Sequence, residues 1–377
     1  GLYLPSVNGD LRSSKAYAMK GAAKEALLRE KKEERDYQVL DELPFYFNGA
    51  GFVNKHRTAL FLLEESTGKL TRITRETFSV GGAHLSADGK KILYTGQAFT
   101  VKRKEKSGVY VYDLETGSTT ELLKPRVYSL YDAAWWGDKI LLLGTDSKRY
   151  GINENAQFYT LDPETREVSL FAPYEQAVGS SVGSDCRLGG GRDLIAQDGK
   201  YYFVATIRNA SHVYCLEQTG EIRPVYTQEG SVDCMDVQDG KLYFVGMQDM
   251  KLQEVYAWDE AKQERTQLTS LNEKVLEDVY VAMPQKLPYE NDGTDLDGWV
   301  LLPKDFDPSK TYPAVLDIHG GPKTVYGEVF YHEMQFWATK GYFVFFSNPR
   351  SPPVSAPGFP PSSCPPRKVS DFAGAPL

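Results

Sequence analysis

The sequence predicts a mainly β protein in which a series of repeated β units is followed by the beginning of an α/β domain. Three observations support this fold class. Hairpin-like segments recur through the middle of the chain, Asp-Gly turns alternate with them, and an apolar strand near Val315 runs into a His-Gly-Gly-Pro sequence. We divide the 377 residues into four predicted segments, namely 1–45, 46–271, 272–350 and 351–377.

The composition excludes several classes of partner. The net charge is -8, from 43 basic and 51 acidic residues, and it disfavours nucleic acid, whose binding requires neutralisation of phosphates. No apolar run approaches the roughly 20 residues of a membrane span, so we expect no membrane partner. The cysteines lack CxxC spacing and histidines are few, which predicts no metal site and reduced thiols in a cytoplasmic protein. The four cysteines are Cys186, Cys215, Cys234 and Cys364.

The N-terminal segment, residues 1–45, contains one helix-like run of mixed charge. The run reads AAKEALLREKKEERDY. Charges of both signs spread over a helix are typical of a solvated surface, so we predict an exposed helix, with a docking helix as the alternative. The acidic pair Asp41 and Glu42 follows. We interpret it as solvated, and the alternative is a pair that grips the N-terminus of a peptide.

Five hairpins are predicted in the segment 46–271. Each begins with alternating apolar residues and continues through an acidic, Thr or Gly turn, as in VYVYDLETGSTTELL from Val109. Equivalent aromatic residues recur at intervals of 49, 49, 55 and 42 residues, and they are Phe61, Tyr110, Tyr159, Tyr214 and Tyr256.

A second pattern lies between the hairpins, where an Asp-Gly or Gly-Asp turn precedes an apolar strand. The turns lie at Asp88, Asp138, Asp198 and Asp239. Each period of 40 to 50 residues therefore holds about four short strands, which is the pattern of a β-propeller. About five blades are visible. An ordinary β-sandwich is the alternative.

The pattern changes in the segment 272–350. The strand LDGWVLLP and a Pro-containing loop precede the strand AVLDI, whose continuous apolar run predicts burial on both faces of a largely parallel sheet. HGGP follows at His319 to Pro322. In α/β-hydrolases a loop of this type supplies an N–H donor to the oxyanion hole, so the sequence predicts the beginning of such a domain. A plain Gly-Gly turn is the alternative.

These segments together resemble the prolyl oligopeptidase family of serine peptidases, and within it the acylaminoacyl-peptidase-like branch. The resemblance runs from about Asp41 to Arg350 and is strongest over HGGPKTVYGEVFYHEMQFWATKGYFVFFSNPR. It implies an α/β-hydrolase domain capped by a propeller and hydrolysis of short peptides near their N-terminus by a Ser-Asp-His triad. It implies no cofactor, and it leaves open whether a full-length parent forms a homo-oligomer.

The resemblance also assigns roles to individual residues. His319, Gly320 and Gly321 match the oxyanion loop of the family, with the Gly321 N–H as the expected donor. Arg350 matches a supporting position that organises the site. We assign no catalytic residue, because the triad follows the HGGP strand in the order Ser, Asp, His, and the last histidine of the chain is His332.

One GxSxG sequence occurs upstream of HGGP. It is GSSVG at Gly179 to Gly183, with Ser181 in the place of a nucleophile. A nucleophile elbow requires a strand, a sharp turn and a helix, and a Gly-rich stretch follows instead. We therefore interpret this segment as a loop between strands. The alternative is an active enzyme that uses Ser181.

The C-terminal segment, residues 351–377, holds eight prolines in 27 residues. This composition predicts disorder, with a proline-rich ligand for a binding module as the alternative. Our hypothesis is a reading frame lost after Arg350 or a truncated gene. We expect a peptidase fragment that is inactive as it stands. The alternative is a propeller that serves as a binding or scaffold protein and retains a vestigial hydrolase segment.

Overall fold

A computed structural model gives the fold of the chain. It describes the backbone of residues 2–10 and residues 19–37, 39–287, 289–291, 293–321 and 323–348. The chain divides into two compact units. The first comprises Gly1–Ile152 and Ala156–Pro173, and the second comprises Asn153–Asn155 and Tyr174–Leu377. The boundary between the units falls within the segment 46–271 that the sequence assigns to the repeats.

The first unit begins with a strand, an exposed helix and a three-stranded sheet in the order β1-β4-β5. The elements are β1 Leu2–Asp10, α1 Ala22–Glu33, β2 Tyr46–Phe47, β3 Gly51–Phe52, β4 His56–Glu64 and β5 Lys69–Arg72. None of the residues of α1 is buried, as its mixed charge predicts. Strand β1 was not predicted from the sequence.

Two four-stranded antiparallel sheets complete the first unit. In each sheet the strands are neighbours in chain order. The strands of one are β6 Phe78–Leu85, β7 Lys91–Ala98, β8 Gly108–Asp113 and β9 Thr119–Leu123, and those of the other are β10 Ser129–Trp136, β11 Lys139–Thr145, β12 Gln157–Leu161 and β13 Val168–Ala172.

The second unit begins with two further antiparallel sheets. In the first of them two short strands, β14 and β15, share the outer position beside β16. The strands are β14 Ala177–Val178, β15 Leu194–Gln197, β16 Lys200–Ile207, β17 Ala210–Leu216 and β18 Ile222–Tyr226, then β19 Cys234–Gln238, β20 Lys241–Gly246, β21 Glu254–Asp259 and β22 Glu264–Gln267.

All five predicted hairpins are confirmed, as β4–β5, β8–β9, β12–β13, β17–β18 and β21–β22. Two of the predicted Asp-Gly turns have positive φ at both residues, at 50° and 71° for Asp198-Gly199 and at 51° and 72° for Asp239-Gly240. This is the conformation of a type I′ turn, whose twist matches that of the flanking strands. Short turns of this kind fix the strand register locally.

Three of the five recurring aromatic residues stack on an aromatic ring of the neighbouring strand. Tyr110 stacks on Tyr94 with ring centroids 5.3 Å apart, and Tyr256 stacks on Phe244 at 5.2 Å. Tyr214 stacks on Phe203 in the same way at 6.0 Å. In three of the sheets the aromatic repeat in the sequence therefore corresponds to the same packing contact between neighbouring strands.

A mixed sheet follows in the second unit, in the order β23-β26-β28-β27. Strands β27 and β28 are parallel, and the other pairs are antiparallel. The elements of this region are α2 Glu273–Leu276, β23 Gln285–Lys286, β24 Tyr289–Asn291, β25 Thr294–Leu296, β26 Gly298–Leu301, β27 Ala314–Asp317, α3 His332–Thr339 and β28 Phe343–Ser347. Trp299, Val344 and Phe346 are buried in its core.

The predicted burial of the AVLDI strand is wrong. Among the described strands, β27 lies at the edge of the sheet and pairs with β28 alone, and Leu316 and Ile318 are 59% and 65% exposed. Within this described sheet the pair β27–β28 is parallel and the other pairs are antiparallel, so the sheet is mixed rather than largely parallel. An apolar run predicts burial only when other elements cover both faces of the strand, and none of the described elements covers β27 in this way.

Within the described ranges, none of the helices combines the length and apolar character that crossing a bilayer requires. Three cysteines in these ranges, Cys186, Cys215 and Cys234, are free thiols. Cys364 lies outside the described residues, as does the whole C-terminal segment for which the sequence predicts disorder.

Candidate functional site

The parallel pair β27–β28 brings two loops to one edge of the mixed sheet. Asp317 pairs with Phe346 at the end of the two strands, His319 follows β27, and Asn348 follows β28. Because parallel strands end on the same side of a sheet, the two loops meet. The Nε2 atom of His319 lies 3.2 Å from Oδ1 of Asn348. The structure therefore joins the predicted oxyanion loop to the loop after the next strand.

Asn348 contacts three other segments at this edge of the sheet, those of His319, Tyr326 and Asp297. Its Oδ1 accepts the N–H of Tyr326 at 2.7 Å, and its Nδ2 donates to the carbonyl of Tyr326 at 2.8 Å. Its own N–H donates to the carbonyl of Asp297 at 3.0 Å. The two bonds to the backbone of Tyr326 fix the orientation of the amide, so that Oδ1 is an acceptor toward His319.

His319 therefore has an acceptor opposite each ring nitrogen. Nε2 is close to Asn348 Oδ1, and Nδ1 lies 2.7 Å from the carbonyl oxygen of Gly320. A neutral imidazole can donate to one of these oxygens, and the doubly protonated ring donates to both. In either form the ring is oriented by its surroundings and holds the first residue of the loop.

Tyr326 is a site residue that sequence reasoning missed. It is buried, its ring packs edge-on against His319 at 4.7 Å, and its hydroxyl donates to Asp317 Oδ1 at 2.5 Å. Burial, together with the bond to Asp317, raises the pKa of Tyr326, so the phenol stays a neutral donor. The hydroxyl thereby connects the end of β27 to the loop that follows. The only signal in the sequence is an aromatic residue seven positions after His319.

The two glycines of the loop differ in their surroundings. A Cβ atom on Gly320 would meet nothing within 4 Å, whereas one on Gly321 would lie 3.2 Å from the backbone nitrogen of Lys323. Neither glycine has φ in the left-handed region, so backbone conformation does not require glycine at either position. Within the described part of the chain, no hydrogen bond engages the N–H of either glycine. Both residues are exposed, so the described residues leave these two donors accessible to an external acceptor.

Arg350, the predicted supporting residue, lies outside the described residues, and so do Pro322 and Pro349. Of the predicted site residues, the structure describes His319, Gly320 and Gly321.

The GSSVG segment lies in the loop between β14 and β15. A strand follows it rather than a helix, so the arrangement around Ser181 differs from that of a nucleophile elbow. Its backbone pairs instead with the segment after the HGGP sequence. The carbonyl of Ser181 accepts the N–H of Val325 at 3.0 Å, and the N–H of Gly183 donates to the carbonyl of Val325 at 2.9 Å.

The same loop also holds the beginning of helix α3. The carboxylate of Asp185 accepts the N–H groups of His332 and Glu333 at 2.7 and 2.8 Å, and the Ser184 hydroxyl donates to the carbonyl of Phe330 at 2.7 Å. The first N–H groups of a helix lack partners within the helix, and a carboxylate stabilises them. Residues 181–185 thus position the segment that connects the HGGP loop to β28.

A polar cavity of about 190 Å³ lies beside this loop. Asp233 lines this cavity. Its carboxylate accepts a hydrogen bond from Gln253 at 2.6 Å and lies 3.5 Å from Arg187. Burial raises the pKa of Asp233. The cavity is lined by Ser180, Arg187, Gly189, Gly190, Gly191, Asp193 and Asp233. Across the described residues, no group of three or more His, Cys, Asp or Glu side chains could hold a metal ion.

The acidic pair of the first unit is not solvated as a whole. Asp41 is about half exposed and forms an ion pair with Lys55 at 2.9 Å. Glu42, in contrast, is buried and binds Arg57 through both carboxylate oxygens at 2.8 and 2.6 Å. The interpretation of Glu42 as a solvated residue is therefore wrong, and its carboxylate is also occupied rather than open to a peptide N-terminus.

The chain is similar in sequence to curated peptidases. It is 24% identical over 332 residues to the uncharacterized peptidase YuxL of Bacillus subtilis, and this match covers 85% of the chain and 50% of the relative. It is 26% identical over 275 residues to dipeptidyl-peptidase 5 of Porphyromonas endodontalis, over 70% of the chain and 38% of the relative. No family model matches the chain.

Solved structures share its fold. The acylaminoacyl peptidase of Pyrococcus horikoshii matches with a TM-score of 0.66 and 23% identity, over 85% of this chain and 48% of that one. A puromycin hydrolase matches with a TM-score of 0.55 and 17% identity, over 78% and 45%. The peptidase relatives and these structures agree with the resemblance of the HGGP segment. These relatives support the resemblance of the chain to the prolyl oligopeptidase family.

The resemblance stated from the sequence is therefore supported, and an acylaminoacyl peptidase is among the solved structures that share the fold. The curated relatives that the chain matches are named as peptidases. The fold is mainly β, as predicted. The chain spans about half the length of the curated relatives and solved structures that it matches.

Proposed function

We propose that the protein to which this chain belongs hydrolyses amide bonds near the N-terminus of short peptides. The observation that carries this proposal is the HGGP loop at the end of β27, oriented by Asn348 and Tyr326, with the N–H groups of Gly320 and Gly321 open to an acceptor. The substrate class is supported by the names of relatives, an acylaminoacyl peptidase and a dipeptidyl-peptidase.

The chemistry that these residues supply is stabilisation of negative charge. When a nucleophile attacks a peptide carbonyl, its oxygen becomes an oxyanion, and a fixed backbone N–H stabilises that oxygen more in the transition state than in the substrate. We assign this donation to Gly321, with His319 and Gly320 shaping the loop. One such donor contributes about 3 kcal/mol to lowering the barrier.

We propose that the successive antiparallel sheets are blades of a β-propeller that limits access to short peptides. Four sheets whose strands follow chain order, with aromatic packing that repeats from sheet to sheet, support this architecture. The mixed sheet with its parallel pair β27–β28 is, in the same proposal, the beginning of an α/β-hydrolase domain. Cytoplasmic location and a homo-oligomeric parent stay predictions.

We further propose that the 377-residue chain does not turn over substrate. No histidine follows His332, and the GSSVG segment around Ser181 is engaged in backbone pairing with Val325. A triad in the order Ser, Asp, His after HGGP cannot be formed from this sequence. The reading frame is, in this hypothesis, lost after Arg350. The second candidate, a propeller scaffold with a vestigial hydrolase segment, is favoured by this same lack of a triad.

The nucleotide sequence after the Arg350 codon separates the two candidates. We expect a one-base shift to restore a Gly-rich continuation and a later GxSxG motif. The restored protein should then release p-nitroaniline from short peptide p-nitroanilides. A downstream sequence without GxSxG in any frame, or a restored protein without amidase activity, contradicts the peptidase proposal and leaves the scaffold.

The restored protein also tests the role of Gly321. Gly321→Ala places a methyl group 3.2 Å from the Lys323 backbone nitrogen and shifts the donor, so kcat should fall at least tenfold, roughly a 1.4 kcal/mol loss. Gly320→Ala, whose Cβ meets open space, is the matched control and should retain activity within about twofold. Equal losses in the two variants contradict the assignment to Gly321.

A further inference from the structure

Lys323 is an ammonium held in place by a neutral partner, two residues after Gly321. Its Nζ donates to Oδ1 of Asn155 at 2.7 Å. Asn155 is buried, and its Nδ2 donates to the carbonyl of Glu175 at 2.7 Å. Because that second bond fixes the amide, Oδ1 is presented to the lysine and the ammonium has a defined position.

No carboxylate in the described part of the chain compensates this charge. Among the described residues Lys323 forms no ion pair, whereas Lys286 of the same unit lies 3.0 Å from Glu328 and 3.4 Å from Glu229. Burial alone lowers the pKa of the Lys323 ammonium. A partly buried charge without a counter-ion costs free energy, and residues with such costs concentrate at functional sites.

The position of Lys323 relates it to the oxyanion loop. Residues two apart in the chain have Cα atoms at most about 7 Å apart, so Lys323 and Gly321 are neighbours in space. The amide N–H of Gly321 has no acceptor within the described ranges. A short ligand can therefore contact the lysine through one group and the loop through another.

We propose that Lys323 and Asn155 form a subsite for the free carboxylate of a short peptide substrate. This inference rests on the proposed function, because it assumes that peptides bind at the HGGP loop. A carboxylate supplies the counter-charge that the protein omits, and a charge-assisted hydrogen bond between ammonium and carboxylate is about twice as strong as a neutral one. A peptide that ends in an amide has no group of that charge.

The experiment compares two peptides that differ only at the C-terminus. Binding of Ala-Ala-Phe with a free carboxylate and of Ala-Ala-Phe amide to the 377-residue chain is measured by isothermal titration calorimetry. We expect the free acid to bind with a Kd about tenfold lower than that of the amide. In Lys323→Met this preference should disappear through weaker binding of the acid, and in Lys323→Arg it should persist.

Two controls keep the outcome interpretable. Lys340→Met removes an exposed lysine of the connecting helix and should retain the tenfold preference. The Tm of Lys323→Met should stay close to that of the wild type, because removal of a desolvated charge offsets the lost hydrogen bond to Asn155, and this checks that the variant is folded. Equal binding of both peptides to the wild type, or a preference that survives in Lys323→Met, overturns the subsite while the proposed function stands. Binding of neither peptide contradicts both.

Discussion

The Glu42–Arg57 pair is a pair of charges inside the first unit. Both side chains are about 1% exposed, Arg57 also donates to the carbonyl of Phe99, and its guanidinium lies 3.6 Å from the centroid of the Phe99 ring. Removal of one partner from a buried ion pair leaves the other charge uncompensated, which is costly.

We therefore expect Glu42→Gln to lower the free energy of unfolding by about 3 kcal/mol, as measured by urea denaturation. The double variant Glu42→Met/Arg57→Met should recover part of this loss, because it leaves no isolated charge. Asp41→Asn breaks the exposed pair with Lys55 and is the control, with stability unchanged. A Glu42→Gln protein as stable as Asp41→Asn contradicts the structural role of the pair.

His212 gives a pH dependence to the stability of the second unit. Burial lowers its pKa, partly opposed by Glu229, and its Nδ1 has no hydrogen-bond partner among the described residues. The unfolded chain therefore binds a proton at a higher pH than the folded one. Stability is unaffected by this residue above its ordinary pKa near 6.5 and decreases as the pH falls below that value.

The variant His212→Gln, which does not titrate, isolates this contribution. We expect the wild type to lose stability relative to His212→Gln between pH 7 and pH 5, as measured by urea unfolding midpoints at several pH values. A difference between the two proteins that is constant over this range contradicts the shift.

The surroundings of individual side chains were the feature hardest to predict from the sequence. HGGP could be recognised as a candidate oxyanion loop because its glycines and the preceding strand are local signals. The burial of Glu42 could not be predicted, since its partner Arg57 lies 15 residues away in the sequence. No local motif marks Tyr326 or Asn348 as a site residue. The pairing of β27 with β28 brings them close to His319.

At the scale of the elements, the sheets share a close approach between their first and second strands. A Cβ on Gly144 or Gly246 would lie 2.5 or 1.9 Å from the carbonyl oxygen of Ser129 or Ser231. Both glycines end an apolar run, ILLLG or LYFVG. In the sheet β14–β18, Ala205 takes the position in β16 that Gly144 and Gly246 take in their strands. The strand beside β16 is there interrupted between β14 and β15.

We expect Gly246→Ala to lower the free energy of unfolding by about 2 kcal/mol, because the backbone carbonyl has to move. Gly82→Ala is the matched control in a strand, since its Cβ would approach nothing closer than 3.7 Å, and it should leave stability unchanged. Differential scanning calorimetry of the two variants measures the effect. Similar Tm values for both would contradict the close approach.

The hairpins were predictable because alternation and turn chemistry act within about 15 residues. The contacts of the 181–185 loop were not, because Ser181 and Val325 are 144 positions apart in the sequence. The predicted burial of the AVLDI strand was wrong for a related reason. Its apolar pattern predicts that it is a strand, which is confirmed, whereas its burial depends on elements that pack against it.

For the molecule as a whole, the open edge of β27 has consequences in solution. Leu316 and Ile318 expose apolar surface beside unpaired strand backbone, and exposed edges of this kind promote association. We expect the purified chain to self-associate with rising concentration in sedimentation velocity. Leu316→Lys/Ile318→Lys should shift the chain toward monomer. A wild-type chain that is monomeric throughout and melts in one sharp transition contradicts this expectation and counts against the fragment hypothesis.

Our central proposal is that the HGGP loop of this chain can stabilise an oxyanion, whereas its 377 residues form no Ser-Asp-His triad that activates a serine nucleophile. Treatment of the purified chain with a fluorophosphonate probe, followed by peptide mass spectrometry, tests the claim most directly. We predict no labelled serine in the 377 residues. Specific labelling of Ser181, or of any other serine, lost after heat denaturation, would contradict it.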